Sequence, residues 1–253
     1  MPQHIIAVAN QKGGVGKTTT TINVAYELAQ SKRSVLLVDL DPQANTTSGL
    51  GFDKHSLEHD VYHAMQKPQD TQRMVHSTPY GISILPASPQ LATAEVDMVA
   101  WPQREFRLQQ ALKGLEFDYI LIDCPPSLGL LTLNGLVAAR NAFIPVQAEY
   151  YALEGLGQLL HTVELIKQGL NPDLELLGVV LTMYAGRTTL SKQVHDEVKR
   201  HFPDTVFEEV VPRNVRVAEA PSYGRPLAEY DKWSKGAKAY KKITKEVVRR
   251  VES

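Results

Sequence analysis

Three groups of residues in this chain have the types and spacing to do chemistry. The first is Asn10-Gln11-Lys12-Gly13-Gly14-Val15-Gly16-Lys17-Thr18-Thr19, which follows the apolar run Ile5-Ile6-Ala7-Val8-Ala9 and leads straight into a helical pattern. Strand, glycine-rich loop, Lys-Thr and helix make the P-loop arrangement. Its glycines let backbone N–H groups curl around phosphate oxygens, and the helix N-terminus adds the positive end of its dipole. Lys17 then bridges the outer phosphates and the Thr18 hydroxyl binds Mg²⁺. The second group is three carboxylates. Asp39 and Asp41 follow the apolar run 35–38, and Asp123 ends the run 119–122, so all three leave a sheet at its carboxyl edge, beside the phosphate loop. Singly each has a lesser alternative reading as a cap or turn residue; together they describe an Mg²⁺ site with a spare acid, which is what phosphoryl transfer to water requires. The third group is a row of cations, Lys232, Lys235, Lys238, Lys241, Lys245 and Arg249, spaced by three and four along one helical face, with Ile243, Val247, Val248 and Val251 opposite. Such a row is either a solvated face or a surface for a polyanion.

These groups need a scaffold that brings strand ends together. Short β-branched runs at 5–9, 35–38, 82–85, 119–122, 142–146 and 177–181 have the near-continuous apolar character of strands buried on both faces. Between them lie helical patterns at 17–30, 104–114, 128–138, 153–168, 189–201 and 232–251, with Thr18, Ser127 and Thr188 as candidate caps. The alternation predicts an α/β fold, a single-domain, doubly wound, mostly parallel β-sheet with helices on both faces, spanning residues 1–253. No separate N-terminal helix-turn-helix domain is expected, because the phosphate loop begins at residue 10. Residues 44–80 are polar, His-rich and weakly periodic, and yield no clear element.

Composition narrows the classes. With 43% hydrophobic and 22% charged residues the chain reads as an ordinary globular protein, and no segment has the apolar length of a membrane span. The start lacks a secretory pattern, which predicts a cytoplasmic protein. One cysteine, Cys124, excludes an internal disulfide or Cys-x-x-Cys site, and the eight His show no ligand spacing. The net charge of −1 conceals a split. Residues 1–186 hold 12 Lys+Arg and 18 Asp+Glu, a balance of −6; residues 187–253 hold 15 and 10, a balance of +5. Almost no acid compensates the lysines over 232–245, which favours the polyanion surface.

One detail departs from the usual P-loop. Gln11 stands where the first glycine is expected, and beside it is a second lysine, Lys12. It is either a solvated surface lysine or one aimed at the phosphates of another subunit. The stretch Lys12–Thr18 resembles the deviant Walker A motif of the ParA/MinD ATPases. The likeness to the ParA (Soj) partition branch continues through Asp39-Leu40-Asp41-Pro42-Gln43, Asp123-Cys124-Pro125-Pro126-Ser127, Gln147–Gly155 and Val211-Pro212-Arg213-Asn214-Val215-Arg216. It covers nearly the whole chain and is weakest over 52–80; Ala185-Gly186 replaces the Asp-Ala found in many relatives.

The resemblance implies an Mg²⁺-dependent ATPase. It makes Lys12, Gly13, Gly14, Val15, Gly16, Lys17, Thr18 and Thr19, with Pro212, Arg213 and Asn214 on the adenine side, the ATP-binding residues. Thr18 becomes the direct metal ligand, Asp39 and Asp123 outer-sphere metal or switch contacts, and Asp41 the residue that orients the attacking water. Lys12, Lys17 and Asp41 form the catalytic set. The partners implied are a second copy in an ATP-dependent homodimer, nonspecific double-stranded DNA held by Arg187, Arg216, Lys232, Lys235 and Lys238, and a ParB-like centromere-binding protein that triggers hydrolysis. Localisation would be cytoplasmic, on the nucleoid when ATP is bound. Cys124, a small buried hydrophobe in type, sets the chain apart from relatives that need cluster-binding cysteines. The rival readings are a MinD-type membrane ATPase, which needs bulky apolar residues on a terminal amphipathic helix where this tail has valines, and a metabolic ligase or kinase, which needs an acceptor pocket.

Overall fold

Apolar runs without alternation must be covered on both faces, and the computed structural model shows the cover. It describes residues 3–149 and 152–252, and of 152–154 the backbone alone; Met1, Pro2, Tyr150, Tyr151 and Ser253 lie outside the described residues. The strands are β1 (His4–Val8), β2 (Val35–Asp39), β3 (His76–Ser77), β4 (Ser83–Leu85), β5 (Tyr119–Asp123), β6 (Asn141–Gln147) and β7 (Glu175–Thr182). They form one sheet in the order β3-β4-β2-β5-β1-β6-β7, parallel throughout except for the β3–β4 pair at the edge.

Helices α1 (Lys17–Gln30), α2 (Asn45–Gly49), α3 (Val61–Gln66), α4 (Leu91–Asp97), α5 (Arg107–Leu112), α6 (Leu130–Ala138), α7 (Ala152–Gly169), α8 (Thr189–His201), α9 (Val215–Glu219), α10 (Leu227–Asp231) and α11 (Lys235–Glu252) complete the domain. Alternate strand residues face opposite layers. Leu36, Val38, Ile120 and Ile122 pack with Leu108, Leu131 and Leu136 on one side, while Ile6, Val8, Leu37 and Leu121 meet Ile22, Leu28, Tyr240, Ile243 and Val247 on the other. The apolar stripe of α11 is thereby spent on the core against α1.

Several expectations need correction. Thr18 does not cap α1: the cap is Gly16, left-handed at φ 89°, and the Thr18 hydroxyl is occupied elsewhere. Gly129 rather than Ser127 precedes α6, with the Ser127 carbonyl accepting from the Thr132 hydroxyl. Thr188 does cap α8, accepting from Ser191 N–H. The 104–114 pattern divides into a 3₁₀ turn at Arg104–Phe106 and the shorter α5. Helix α11 starts at Lys235, so Lys232 belongs to the turn after α10. The weakly periodic 44–80 segment contains α2, α3, a 3₁₀ stretch (Pro68–Met74) and β3. These pieces are too short for periodicity to show; α3 is fixed by the buried Asp60, whose carboxylate accepts the N–H groups of Tyr62 and His63.

Candidate functional site

The loop from Asn10 to Thr19 joins the central strand β1 to α1, so its backbone N–H groups lie at the carboxyl edge of the sheet. Two left-handed glycines, Gly14 (φ 74°) and Gly16 (φ 89°), turn the chain back on itself, a conformation that a side chain would strain. The loop is anchored from outside: the Thr182 hydroxyl at the end of β7 donates to Val15 O (2.7 Å), and Asn10 Nδ2 donates to Pro145 O (2.7 Å). Lys17 is buried, with Nζ 3.2 Å from Lys12 O, and burial lowers its pKa against the opposing pull of Asp123 and Asp41.

Asp39 and Asp123 are register partners at the ends of β2 and β5, and both are fully buried. Asp123 Oδ2 accepts the hydroxyls of Thr18 and Thr46, each at 2.7 Å. Asp39 Oδ2 accepts from Thr47 N–H (2.8 Å) and the Thr47 hydroxyl (2.7 Å), and Oδ1 from Asp41 N–H (3.2 Å). Consecutive threonines on α2 thus hold the two neighbouring carboxylates, and Thr47 Oγ1 also accepts Ala87 N–H at 2.9 Å. Burial first, then the Asp123 charge, pushes the Asp39 pKa up; burial likewise raises Asp123, opposed by its bonds to Thr18 and Thr46. Asp41 accepts Gln43 N–H on Oδ1 (2.9 Å), and its other oxygen makes no hydrogen bond among the described residues.

The three carboxylates at this edge do not converge on one point. Among the described residues no three His, Cys, Asp or Glu side chains converge to cage an ion. The cause is visible in the bonds: Asp39 turns both oxygens to α2 and its own turn. The edge instead offers the Thr18 hydroxyl from the phosphate loop, touching the Asp123 carboxylate that Thr46 also holds. That is a partial coordination shell of the sort Mg²⁺ completes with water and phosphate oxygens.

Beside Gly16 an apolar cavity of about 380 Å³ is lined by Thr19, Thr182, Met183, Pro212, Arg213, Asn214 and the ring of Tyr240, among others. Its outer wall extends the sheet beyond β7. Tyr184 N–H donates to Val211 O and Arg213 N–H to Tyr184 O, each at 3.0 Å. The Asn214 side chain caps α9 by accepting Arg216 N–H (2.8 Å). Arg216 therefore sits between two lining residues of the cavity, Val215 and Val217, while Arg187 lies four residues beyond the lining residue Met183. Thr46, Thr47, Thr182 and Tyr240 were not singled out from sequence; only the threonine pair after the Asp39-Leu40-Asp41 turn offered a signal, in a segment with no periodicity.

The basic residues fall into two classes. Arg187, Lys232, Lys235, Lys238 and Lys241 are exposed and make no ion pair among the described residues. Lys242 and Arg249 do, with Glu209 (2.7 Å) and Glu208 (2.9 Å), so acids distant in sequence compensate two cations of the far half of α11, while Lys245 between them is exposed and makes no ion pair among the described residues. Arg216 is held by Glu219 (3.0 Å) and Asp231 (3.7 Å). Lys12 forms an exposed pair with Glu149 of its own chain (2.8 Å). Tyr150 and Tyr151 of the Gln147–Gly155 run lie outside the described residues, and the side chains of 152–154 with them. No helix of the described residues is long and apolar enough to cross a membrane.

Comparison with known proteins places this geometry. A family model described as an AAA domain matches residues 3–176. The chain is 52% identical over 246 residues to the sporulation initiation inhibitor protein Soj of Bacillus subtilis, covering 96% of this chain and 97% of that one. It is 51% identical over 249 residues to the chromosome partitioning protein ParA of Myxococcus xanthus, covering 97% and 88%. Among solved structures, cobyrinic acid a,c-diamide synthase from Mycobacterium smegmatis with bound ADP and magnesium superimposes with a TM-score of 0.88 at 39% identity, covering 100% of this chain and 96% of that one.

Proposed function

From the premise that the chain belongs to the ParA/Soj family of chromosome-partitioning ATPases, we propose that it is a DNA-partitioning switch that binds and hydrolyses ATP with Mg²⁺. The observation that carries this reading is the convergence at one sheet edge of Lys17, the Thr18–Asp123 pair and the apolar cavity beside Gly16. The whole chain, residues 1–253, acts as one ATPase domain.

The residues fit the group. Two fully buried carboxylates on adjacent strand ends disfavour each other's charge, which a divalent cation would relieve, and Thr18 would hold it directly with Asp123 and Asp39 behind. Bound there, Mg²⁺ neutralises charge on the phosphates during transfer. The chain's own residues do the rest. Backbone N–H groups of residues 13–19 cradle phosphate oxygens and Lys17 pairs with the outer ones, while Pro212, Arg213 and Asn214 cover the base. Asp41, with one unengaged oxygen at the same edge, orients the attacking water. Lys12 leaves Glu149 to reach the phosphates of a second copy, which makes ATP the bond between two subunits.

The DNA platform consists of Arg187, Arg216, Lys232, Lys235 and Lys238, contacting phosphates without reading sequence. Arg216 lies between the lining residues Val215 and Val217, so occupancy of the nucleotide cavity adjusts that part of the platform. A ParB-like protein stimulates hydrolysis and resets the switch; the protein works in the cytoplasm and on the nucleoid. A membrane alternative loses its support, because the apolar stripe of α11 is buried against α1.

The mycobacterial likeness favours a second reading, ATP-driven amide synthesis. Drawing nitrogen from glutamine needs an accessible thiolate. The one cysteine, Cys124, is fully buried, and burial pushes its thiol pKa far up. The test is light scattering and ATP turnover with ADP, ATP and a nonhydrolysable analogue, with and without duplex DNA. Dimers formed only with ATP, and turnover raised by DNA, uphold the switch; a monomer in every state whose turnover rises only with a carboxylate acceptor and an amine source upholds the synthase.

A further inference from the structure

The uncompensated end of the basic row carries a side chain that phosphate pairing does not require. Trp233, between α10 and α11, is 73% exposed. An indole left in water contributes none of its burial energy to the fold. The turn that displays it is nevertheless well tied. Trp233 N–H donates to Asp231 Oδ1 (3.1 Å), and Ser234 Oγ accepts from Ala237 N–H (3.1 Å) at the start of α11. Two ammonium groups lie near the ring: Lys232 Nζ at 5.3 Å and Lys238 Nζ at 6.0 Å from its centroid. Asp231, at the start of this turn, is engaged by Arg216 Nε (3.7 Å) as well as by Trp233 N–H.

We propose that Trp233 is a contact residue for duplex DNA, its ring laid against sugars and base edges in the minor groove while Lys232, Lys235 and Lys238 hold the flanking phosphates. This rests on the DNA-binding reading above and adds an apolar component to it. Lysine–phosphate pairs release counterions, so their share of affinity decays with salt; an aromatic contact releases none and persists. The exchange is favourable in place, since an ammonium that leaves the ring for a phosphate uncovers the π face for the nucleic acid. Charge complementarity selects the partner: two exposed lysines beside one ring, and a third, Lys235, two residues on, none with an ion pair among the described residues. An anionic bilayer would use the same chemistry. It needs a broad apolar face, and the neighbouring stripe of Ile243 and Val247 is already buried.

The chain has two tryptophans, so Trp101→Phe leaves Trp233 as the sole indole emitter. That variant, loaded with a nonhydrolysable ATP analogue, is titrated with a random-sequence duplex and separately with anionic phosphatidylglycerol vesicles. Trp233→Ala and Trp233→Phe in the otherwise natural chain are measured for duplex affinity across a potassium chloride series. The expected results are quenching or a blue shift with duplex, an affinity about tenfold lower for Trp233→Ala at every salt with the slope unchanged, and partial recovery in Trp233→Phe. Unchanged emission at saturating duplex, together with natural affinity in Trp233→Ala, overturns the proposal and leaves the lysine platform standing. A shallower salt slope in Trp233→Ala also overturns it, making the ring an organiser of lysines. Emission that responds to vesicles and not to duplex replaces DNA with a membrane. No duplex binding by the natural chain in any nucleotide state removes the DNA reading itself.

Discussion

The phosphate loop and helix α11 treat charge in opposite ways. At the loop the charges are buried and matched atom by atom: Asp123 with Thr18 and Thr46, Asp39 with Thr47, Lys17 in reach of Lys12 O. Along α11 the exposed cations stand in water, some matched by an acid, as Lys242 and Arg249 are, and others, as Lys238 and Lys245 are, without an ion pair among the described residues. A buried charge commits to one geometry, and removing a partner exposes the full cost of desolvation. An exposed charge is nearly interchangeable with its neighbours and contributes in small, countable steps. Single substitutions should therefore be decisive at the loop and graded along the helix.

The largest effect is expected at Lys17. Lys17→Ala removes the buried cation that faces the outer phosphates, and ATP affinity should fall by about 10²-fold or more. Calorimetry showing near-natural affinity would sink the phosphate-site assignment. Next is Asp41→Ala, which keeps ATP binding and the dimer but should lose about 10²-fold in turnover, having lost only the group that orients water. Lys12→Ala must differ from it, binding nucleotide and failing to dimerise. Should Lys12→Ala dimerise and turn over normally, its role toward a second subunit is wrong. Thr47→Ala probes the buried matching directly. It strips Asp39 of one donor and Ala87 N–H of its acceptor, so urea unfolding should show a loss of about 1–3 kcal/mol. An unchanged midpoint would mean that α2 does not position Asp39.

The contrast also explains what the sequence could reveal. A P-loop is contiguous, and its chemistry lies in backbone N–H groups and a few adjacent side chains, so the order Gly-Lys-Thr between a strand and a helix already specifies the local geometry. The parallel sheet was legible because strands covered on both faces lose their polar positions. The partners of Asp39 were not legible. Thr47 reaches it through a five-residue helix too short to show a period, and holds the Asp39 carboxylate toward α2. On α11 the lysine spacing and apolar stripe were visible, yet Glu208 and Glu209 lie more than thirty residues away in sequence and cancel Lys242 and Arg249 only in the fold. Counting acids within 232–245 missed them.

Smaller effects belong to the uncompensated cations. Arg187→Glu and Lys238→Glu should weaken binding to two unrelated duplexes alike and flatten the salt dependence by about one unit of slope per lost contact. Because a dimer presents each residue twice, either change should cost more than one contact, and only in the ATP state. Unchanged slopes in both variants would remove these residues from the platform.

The smallest expected effect tests the comparison most closely. Lys242 lies about one helical turn from Lys238, beside the row, with the same side chain and charge. What separates them is Glu209, 2.7 Å from Lys242 Nζ. A phosphate that recruited Lys242 would have to displace this carboxylate and leave it beside a polyanion, so the pair is worth little to DNA. The lysine is also largely exposed, so its loss should cost well under about 1 kcal/mol of stability. Lys242→Ala is therefore expected to leave both the unfolding midpoint and the DNA salt slope close to natural, while Lys238→Ala lowers the slope. Glu209→Gln should act in the opposite sense, freeing Lys242 and steepening the slope. Equal slope losses in Lys238→Ala and Lys242→Ala would show that DNA takes the whole row as one surface, and that the ion pairs to residues 208 and 209 do not set its boundary.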